Sequence, residues 1–305
     1  MKQFYLYLNR FVREDFNIRY YSIIALFTAI FIGFNYAVDF EDGILDKLPS
    51  TFQRYLAFTS LYLFAYGFIL VVNKHFYPQE NFLSNKWLWI KIFIGFSILS
   101  FDTALNTYSL FNHLPIELYH FVPKVFNNLF PIISYILPLY LFYYYFDKQS
   151  NFYGITREGF EVRPYLQLFL VVVLLVGFAS FHQNFNTYYP LYPQNKAAAY
   201  WGIPTFVTAG VYELAYGLSF VSVELLFRGF FVIGMIKILG RHAIIPMAVT
   251  YSFIHFGKPI GECVSSIFGG YILGVIALYS RNIWGGIIIH IGLAWLMEFF
   301  AYLQK

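Results

Sequence analysis

Long apolar stretches alternate along this chain with short polar connections. A helix rises about 1.5 Å per residue, so roughly twenty apolar residues cross the ~30 Å hydrocarbon core of a bilayer. Tyr20–Val38 and Tyr55–Asn73 have that length and lack charge. Trp87–Phe101, extended toward Leu110, is a third stretch, with Lys91 near its start. Val125–Phe146 and Tyr165–Phe181 follow. The run from Tyr200 to Gly240 carries Glu213, Glu224, Arg228 and Lys237, and reads as a short leading segment and one long helix from about Val211 to Leu239. Ala243–Phe256, Cys263–Ser280 and Ile283–Leu303 bring the set to about nine segments, or eight if Ala243–Phe256 or the third does not fully cross. The pattern predicts an all-α fold, a polytopic transmembrane helical bundle.

Composition agrees. Hydrophobic residues make up 59% of the 305 and charged residues 12%, against about 25% charged in a soluble domain. Too little charge is present to cover a water-facing surface, and intrinsic disorder is excluded for the same reason. The net charge of +4 is small and scattered, so no nucleic-acid partner is expected. A single cysteine, Cys263, excludes an intramolecular disulfide and a multi-cysteine metal site. No small-residue cleavage site follows the first apolar run, which reads as an uncleaved span.

With the N-terminus inside, the inner connections hold twelve Lys and Arg and the outer ones six. The positive-inside rule therefore favours a cytoplasmic N-terminus, and a compact chain without organelle signals fits a bacterial cytoplasmic membrane. The longest polar connections are Asp147–Pro164 and His182–Ala199. The second divides a bland part, residues 1–199, read as packing and lipid contact, from residues 200–305, which carry the intramembrane charges.

Those charges matter because Lys or Asp at a helix centre costs roughly 2.5–3.5 kcal/mol on insertion scales, and such groups turn inward. Glu224 and Arg228 are four residues apart, on one helical face. His255 and His290 lie on two further apolar segments. One carboxylate, two imidazoles and a guanidinium around one wet cavity can bind an anion, hold a metal or activate water. The plainer reading is a self-neutralising Glu224–Arg228 pair and two packing histidines.

Other features carry less. Glu213 precedes Glu224 by about three turns, or ~16 Å, and is expected at the mouth of the cavity. Glu298, two turns beyond His290, is expected at the membrane edge. The His113, Glu117 and His120 spacing is interrupted by Pro115 and reads as chance. Cys263 reads as a packing residue. Ser266, Gly270 and Gly274 form a small-residue stripe suited to internal helix packing. Trp284 and Trp295 read as interfacial anchors.

Glu224-Leu-Leu-Phe-Arg-Gly229, then His255 in an aromatic-rich segment, then Leu278–Trp284 leading to His290, resemble the CAAX prenyl protease and bacteriocin-processing (CPBP, or Abi) family of intramembrane peptidases. The resemblance runs from about Ala209 to Phe299. The family pattern is Glu-Glu-x-x-x-Arg, then Phe-x-x-x-His, then His-x-x-x-Asn or Asp. It implies that Glu and the first His activate water, while the second His and the Asn stabilise the oxyanion; a divalent metal such as zinc is left open, with no ligand motif here to support one. Carried over, Glu224 takes the second Glu position, Arg228 the Arg, and His255 and His290 the two His. Val223 stands at the first Glu position, Tyr251 at the Phe and Ala294 at the Asn. A lost oxyanion donor costs about 10²–10³ in rate and a lost base about 10²–10⁴.

Two functions follow as expectations. One is a CAAX-protease-like intramembrane peptidase acting through Glu224, His255, His290 and Arg228 on a hydrophobic or membrane-anchored peptide. The other is an inactive relative that serves as a binding, immunity or assembly partner in the membrane. A carrier function is disfavoured, because the chain has no inverted repeat or paired broken segments.

Overall fold

The computed structural model describes residues 2–158, 160–192 and 195–305. Among them every regular element is helical. Helix α1 (Lys2–Asp15) buries Phe4 and Phe11 and exposes Lys2, Arg10 and Arg13, a pattern suited to the membrane surface. The Asn17 side chain accepts from the amides of Arg19 and Tyr20 and starts α2 (Ile18–Val38). Reciprocal bonds between Ser50 and Gln53 start α3 (Thr51–Phe76). Asn85 caps α4 (Lys86–Ala104). The short α5 (Ile116–Tyr119) leads into α6 (Val122–Phe142), which is followed by α7 (Val162–Ala179).

The last third begins with the short helices α8 (Gln183–Tyr188) and α9 (Ala197–Trp201). Then come α10 (Thr205–Glu224), α11 (Ile236–Leu239), α12 (Ile244–Phe253), α13 (Ile260–Ser280) and α14 (Trp284–Leu303).

Eight helical stretches among the described residues are long and apolar enough to span a membrane. One of them, Thr205–Phe253, has 49 residues. As a single helix it would be about 74 Å long, more than twice a bilayer core. It is instead broken into arms. The sequence reading predicts one helix from about Val211 to Leu239; α-geometry ends at Glu224, gives way to a π-helical turn over Leu225–Phe230 and a 3₁₀ turn over Ile233–Met235, and resumes only in α11. Gly240, at φ +54°, closes the corner before α12. All ten residues of α12 are buried, and ten residues rise only ~15 Å, too little to cross.

The Thr205–Phe253 stretch is the centre of the bundle: 72% of an 18-residue apolar window within it is buried, against 17% for α7. Phe178, Phe181 and Phe206 are each at least 75% exposed, as acyl-chain contact requires. The centre is pinned from the first half of the chain. Lys91 of α4 is buried and donates to Asp147 Oδ2 (2.7 Å) and to the Gly234 carbonyl (2.6 Å). Gln149 donates to the same two acceptors. This cluster fixes the 147–149 loop against the break in the central stretch.

The stripe residues Gly270 and Gly274 seat α13 against α12: a Cβ on Gly274 would come within 2.6 Å of Met247. Cys263 is buried, its thiol 3.4 Å from the Ser252 carbonyl. Two expectations change. Glu298 is 6% exposed and accepts from the amides of Leu191 and Tyr192, so it ties down the loop after α8 from inside the fold. Trp295 sits in the body of α14 and donates to the Glu213 carbonyl (2.8 Å), joining α14 to α10 where an interfacial anchor is expected.

Candidate functional site

Four helical elements bring the predicted residues together. Glu224 ends α10, fully buried. Arg228, 1% exposed, follows in the π-helical turn with its Nη1 3.0 Å from Glu224 Oε1. π-turns inside helices recur at functional sites because they re-aim side chains out of the α register. His290, from the second turn of α14, donates from Nδ1 to Glu224 Oε1 at 2.8 Å. Two cationic or donor groups thus share one carboxylate oxygen.

Gly286, one turn before His290, makes this approach feasible. A Cβ there would collide with Glu224 Oε2 and lie 3.0 Å from its Cδ. Only a missing side chain lets α14 come this close to the end of α10.

The other ring nitrogen of His290, Nε2, is 2.9 Å from the Tyr251 hydroxyl. With Nδ1 protonated toward an ionised Glu224, Nε2 is the acceptor and the phenol donates. Tyr251 is 3% exposed and stands between the two histidines; its ring meets that of His255 edge-on at 4.7 Å. The Arg228 guanidinium lies over this ring, 4.3 Å from its centroid. Such a contact stabilises a buried cation by about 0.5–2 kcal/mol.

His255 lies in the turn after α12, half-buried. Its Nδ1 is 2.8 Å from the Tyr251 carbonyl. A carbonyl only accepts, so Nδ1 carries the proton and Nε2 is left as the basic nitrogen. The turn is held from α2: the Asn35 amide donates to the Phe256 carbonyl (3.0 Å) and the Tyr36 hydroxyl to the Lys258 carbonyl (2.6 Å).

Glu224, Arg228, His255 and His290 therefore share one neighbourhood with Tyr251 at its centre. Glu213 does not join them; it is half-buried, and its backbone carbonyl serves Trp295. Val223 packs as an apolar side chain against the main core. Ala294 is 2% exposed among Tyr212, Tyr216 and Phe121. The sequence analysis places Tyr251 only at the family's Phe position and does not single out Gly286, Asn35 or Tyr36. Tyr251 carried a signal, since it lies four residues before His255 and shares its helical face.

Residues 214–296 match the family model of Rce1-like type II CAAX prenyl endopeptidases. The matched segment covers just over a quarter of the chain and contains every site residue named above except Asn35, Tyr36 and Glu213. The resemblance read from the motifs is borne out over that segment, which is similar to the CAAX-protease family. Its eight apolar helical stretches and this match mark it as an integral membrane protein. No curated protein and no solved structure matches the chain significantly.

The donor set does not fit a resident metal ion. Both ring nitrogens of His290 are engaged, by Glu224 and Tyr251, and His255 Nδ1 is engaged by a carbonyl. Among the described residues no three His, Cys, Asp or Glu side chains gather for a metal, the His113–Glu117–His120 segment included.

Proposed function

We propose that the protein is an intramembrane peptidase of the CAAX-protease type, cleaving a hydrophobic or membrane-anchored peptide at the Glu224–His255–His290 site. The observation that carries this reading is the convergence of one carboxylate and two imidazoles from α10, the α12 turn and α14 inside an apolar bundle. In this reading His255 Nε2 holds and polarises the attacking water, because its other nitrogen is committed to a carbonyl. Glu224 fixes the tautomer and orientation of His290. Arg228 neutralises Glu224 within the bundle. The apolar helices around the site exclude lipid and bulk water, which strengthens each of these interactions. Membrane lipid surrounds the bundle, and a cytoplasmic N-terminus follows from the distribution of Lys and Arg.

A second reading is favoured by Val223 and Ala294, which stand where the family pattern has a carboxylate and an amide. In it the protein binds the same class of peptide without cutting. One experiment separates the two. The purified protein is reconstituted in vesicles with a fluorogenic peptide bearing a lipid anchor, and release of the soluble fragment is followed. Release that is lost in His255→Ala and His290→Ala supports the peptidase. Absence of release, with the peptide photo-crosslinked equally by wild type and His255→Ala, supports the binder. Under the binder reading, Val223→Glu with Ala294→Asn is expected to create release.

A further inference from the structure

The contacts around His290 form a chain: Glu224 Oε1 accepts from Nδ1 at 2.8 Å, and Nε2 accepts from the Tyr251 hydroxyl at 2.9 Å. Carboxylate, imidazole and hydroxyl follow one another in the connectivity that activates a hydroxyl in nucleophilic hydrolases. Nothing in the family pattern supplies this hydroxyl, because its position is that of a Phe. The buried guanidinium of Arg228 also lies over the face of this ring, 4.3 Å from its centroid, where it partly offsets the cost of negative charge on the buried oxygen.

We propose that Glu224–His290–Tyr251 is a proton relay, with the Tyr251 oxygen as the base that takes over from the carboxylate missing at Val223. The proposal rests on the peptidase reading for its substrate, a peptide amide. The alternative for Tyr251, a phenol that only packs, accounts for its contacts with Phe227 and His255 but not for its hydroxyl bonding the His290 nitrogen opposite the one Glu224 holds.

The step balances. Water held by His255 Nε2 attacks the amide carbonyl carbon, forming a C–O bond as the carbonyl π pair moves onto oxygen. The Tyr251 oxygen takes one proton from that water as its own phenolic proton passes to His290 Nε2. The resulting imidazolium is paired with Glu224, and the re-formed phenol O–H faces the new oxyanion, the donor role that Ala294 cannot play. On collapse the C–N bond breaks, Tyr251 gives its proton to the departing amine nitrogen, and His290 returns its proton to Tyr251. One water is consumed, one amide is cleaved, and the relay ends as it began.

Two readouts test this. The first is peptide release by Tyr251→Phe, which keeps the ring, its contact with Arg228 and its packing. The expected loss in kcat is about a hundredfold or more, with KM within about threefold of wild type; retained kcat overturns the relay and leaves the peptidase reading standing. The second needs no peptide. An aryl sulfonyl fluoride forms an aryl sulfonate with an activated phenol by expelling fluoride. Mass spectrometry of the detergent-solubilised full chain is expected to place the adduct on Tyr251, with at least a tenfold slower rate in Glu224→Gln and in His290→Gln. No adduct at Tyr251, or equal rates in all three proteins, overturns the relay. A fast, His290-dependent adduct without any peptide release supports the relay and sinks the peptidase reading.

Discussion

Glu224 Oε1 lies 2.8 Å from His290 Nδ1 and 3.0 Å from Arg228 Nη1, so one oxygen of one carboxylate neutralises a guanidinium and orients an imidazole 66 residues away. All three side chains are at most 9% exposed. Removing the carboxylate leaves Arg228 charged and unpaired in a dry interior, which costs about 3–5 kcal/mol for a buried pair. Glu224→Ala is therefore expected to lower the melting temperature in detergent strongly. Glu224→Gln keeps an acceptor for His290 but loses the charge, and falls between wild type and Glu224→Ala. A Glu224→Ala protein as stable as wild type contradicts the pairing.

Gly286 sets how close α14 comes to this carboxylate. Gly286→Ala places a methyl group against Glu224 Oε2, and neither backbone can retreat while α14 is packed against both α7 and α10. The Glu224–His290 bond is expected to break, with peptide release and melting temperature falling together. Gly269→Ala on α13 is the matched control: nothing lies within 4 Å of its Cβ position, and Ala gains up to about 1 kcal/mol over Gly in a helix. Thermal melts of the two variants, run side by side, check the expectation.

Much of the fold was readable because lipid imposes a strict rule. Runs such as Tyr20–Val38 and Cys263–Ser280 have the length of a bilayer crossing and little charge, and α2 and α13 occupy nearly those bounds. Glu224, Arg228 and His290 were readable for the opposite reason: they have no low-cost place except against one another. The π-turn at Leu225–Phe230 was not, since apolar residues suit α and π geometry alike and tertiary packing decides. Glu298 illustrates another limit. Its helical position placed it near a membrane edge, but its partners are backbone amides of Leu191 and Tyr192, more than a hundred residues earlier. Backbone donors leave no side-chain signature, so neither this tie nor the hold of Asn35 on the Phe256 carbonyl could be inferred from residue type.

That hold carries its own prediction. Asn35 is 3% exposed, donates to the Phe256 carbonyl and accepts from the Glu41 amide at 3.1 Å. Asn35→Ala leaves two buried backbone groups without partners, each costing about 1–3 kcal/mol. The His255 turn is then free to open. Hydrogen exchange at His255–Lys258 is expected to accelerate more than tenfold, with the centre of α13 unchanged. Tyr36→Phe, which loses the bond to the Lys258 carbonyl, gives a smaller acceleration in the same segment. Uniform exchange across the chain in Asn35→Ala runs against a local clasp.

At the far end of α1, Asp15 is 2% exposed, with its carboxylate accepting from the Tyr21 hydroxyl at 2.9 Å and lying 3.6 Å from Arg241. Burial outweighs these partners and pushes its pKa up from 3.8 to about 6. A carboxyl whose folded value is raised favours the folded state fully below its unfolded pKa, and that contribution is lost as pH rises through the folded value. Two pKa units correspond to about 3 kcal/mol. Asp15→Asn keeps the shape and does not titrate. The stability difference, Asp15→Asn minus wild type, is therefore expected to grow as pH rises from 4 to 7 and to level off above that. Taking the difference cancels groups remote from Asp15 that titrate equally in both proteins; His242, 3.8 Å from Asp15 Oδ1, is coupled to it, so the pair His242→Gln and Asp15→Asn/His242→Gln is run alongside. Melting temperatures of the two proteins in detergent across this range read it directly, and a gap that shrinks with rising pH means that Asp15 is held ionised by Arg241 instead.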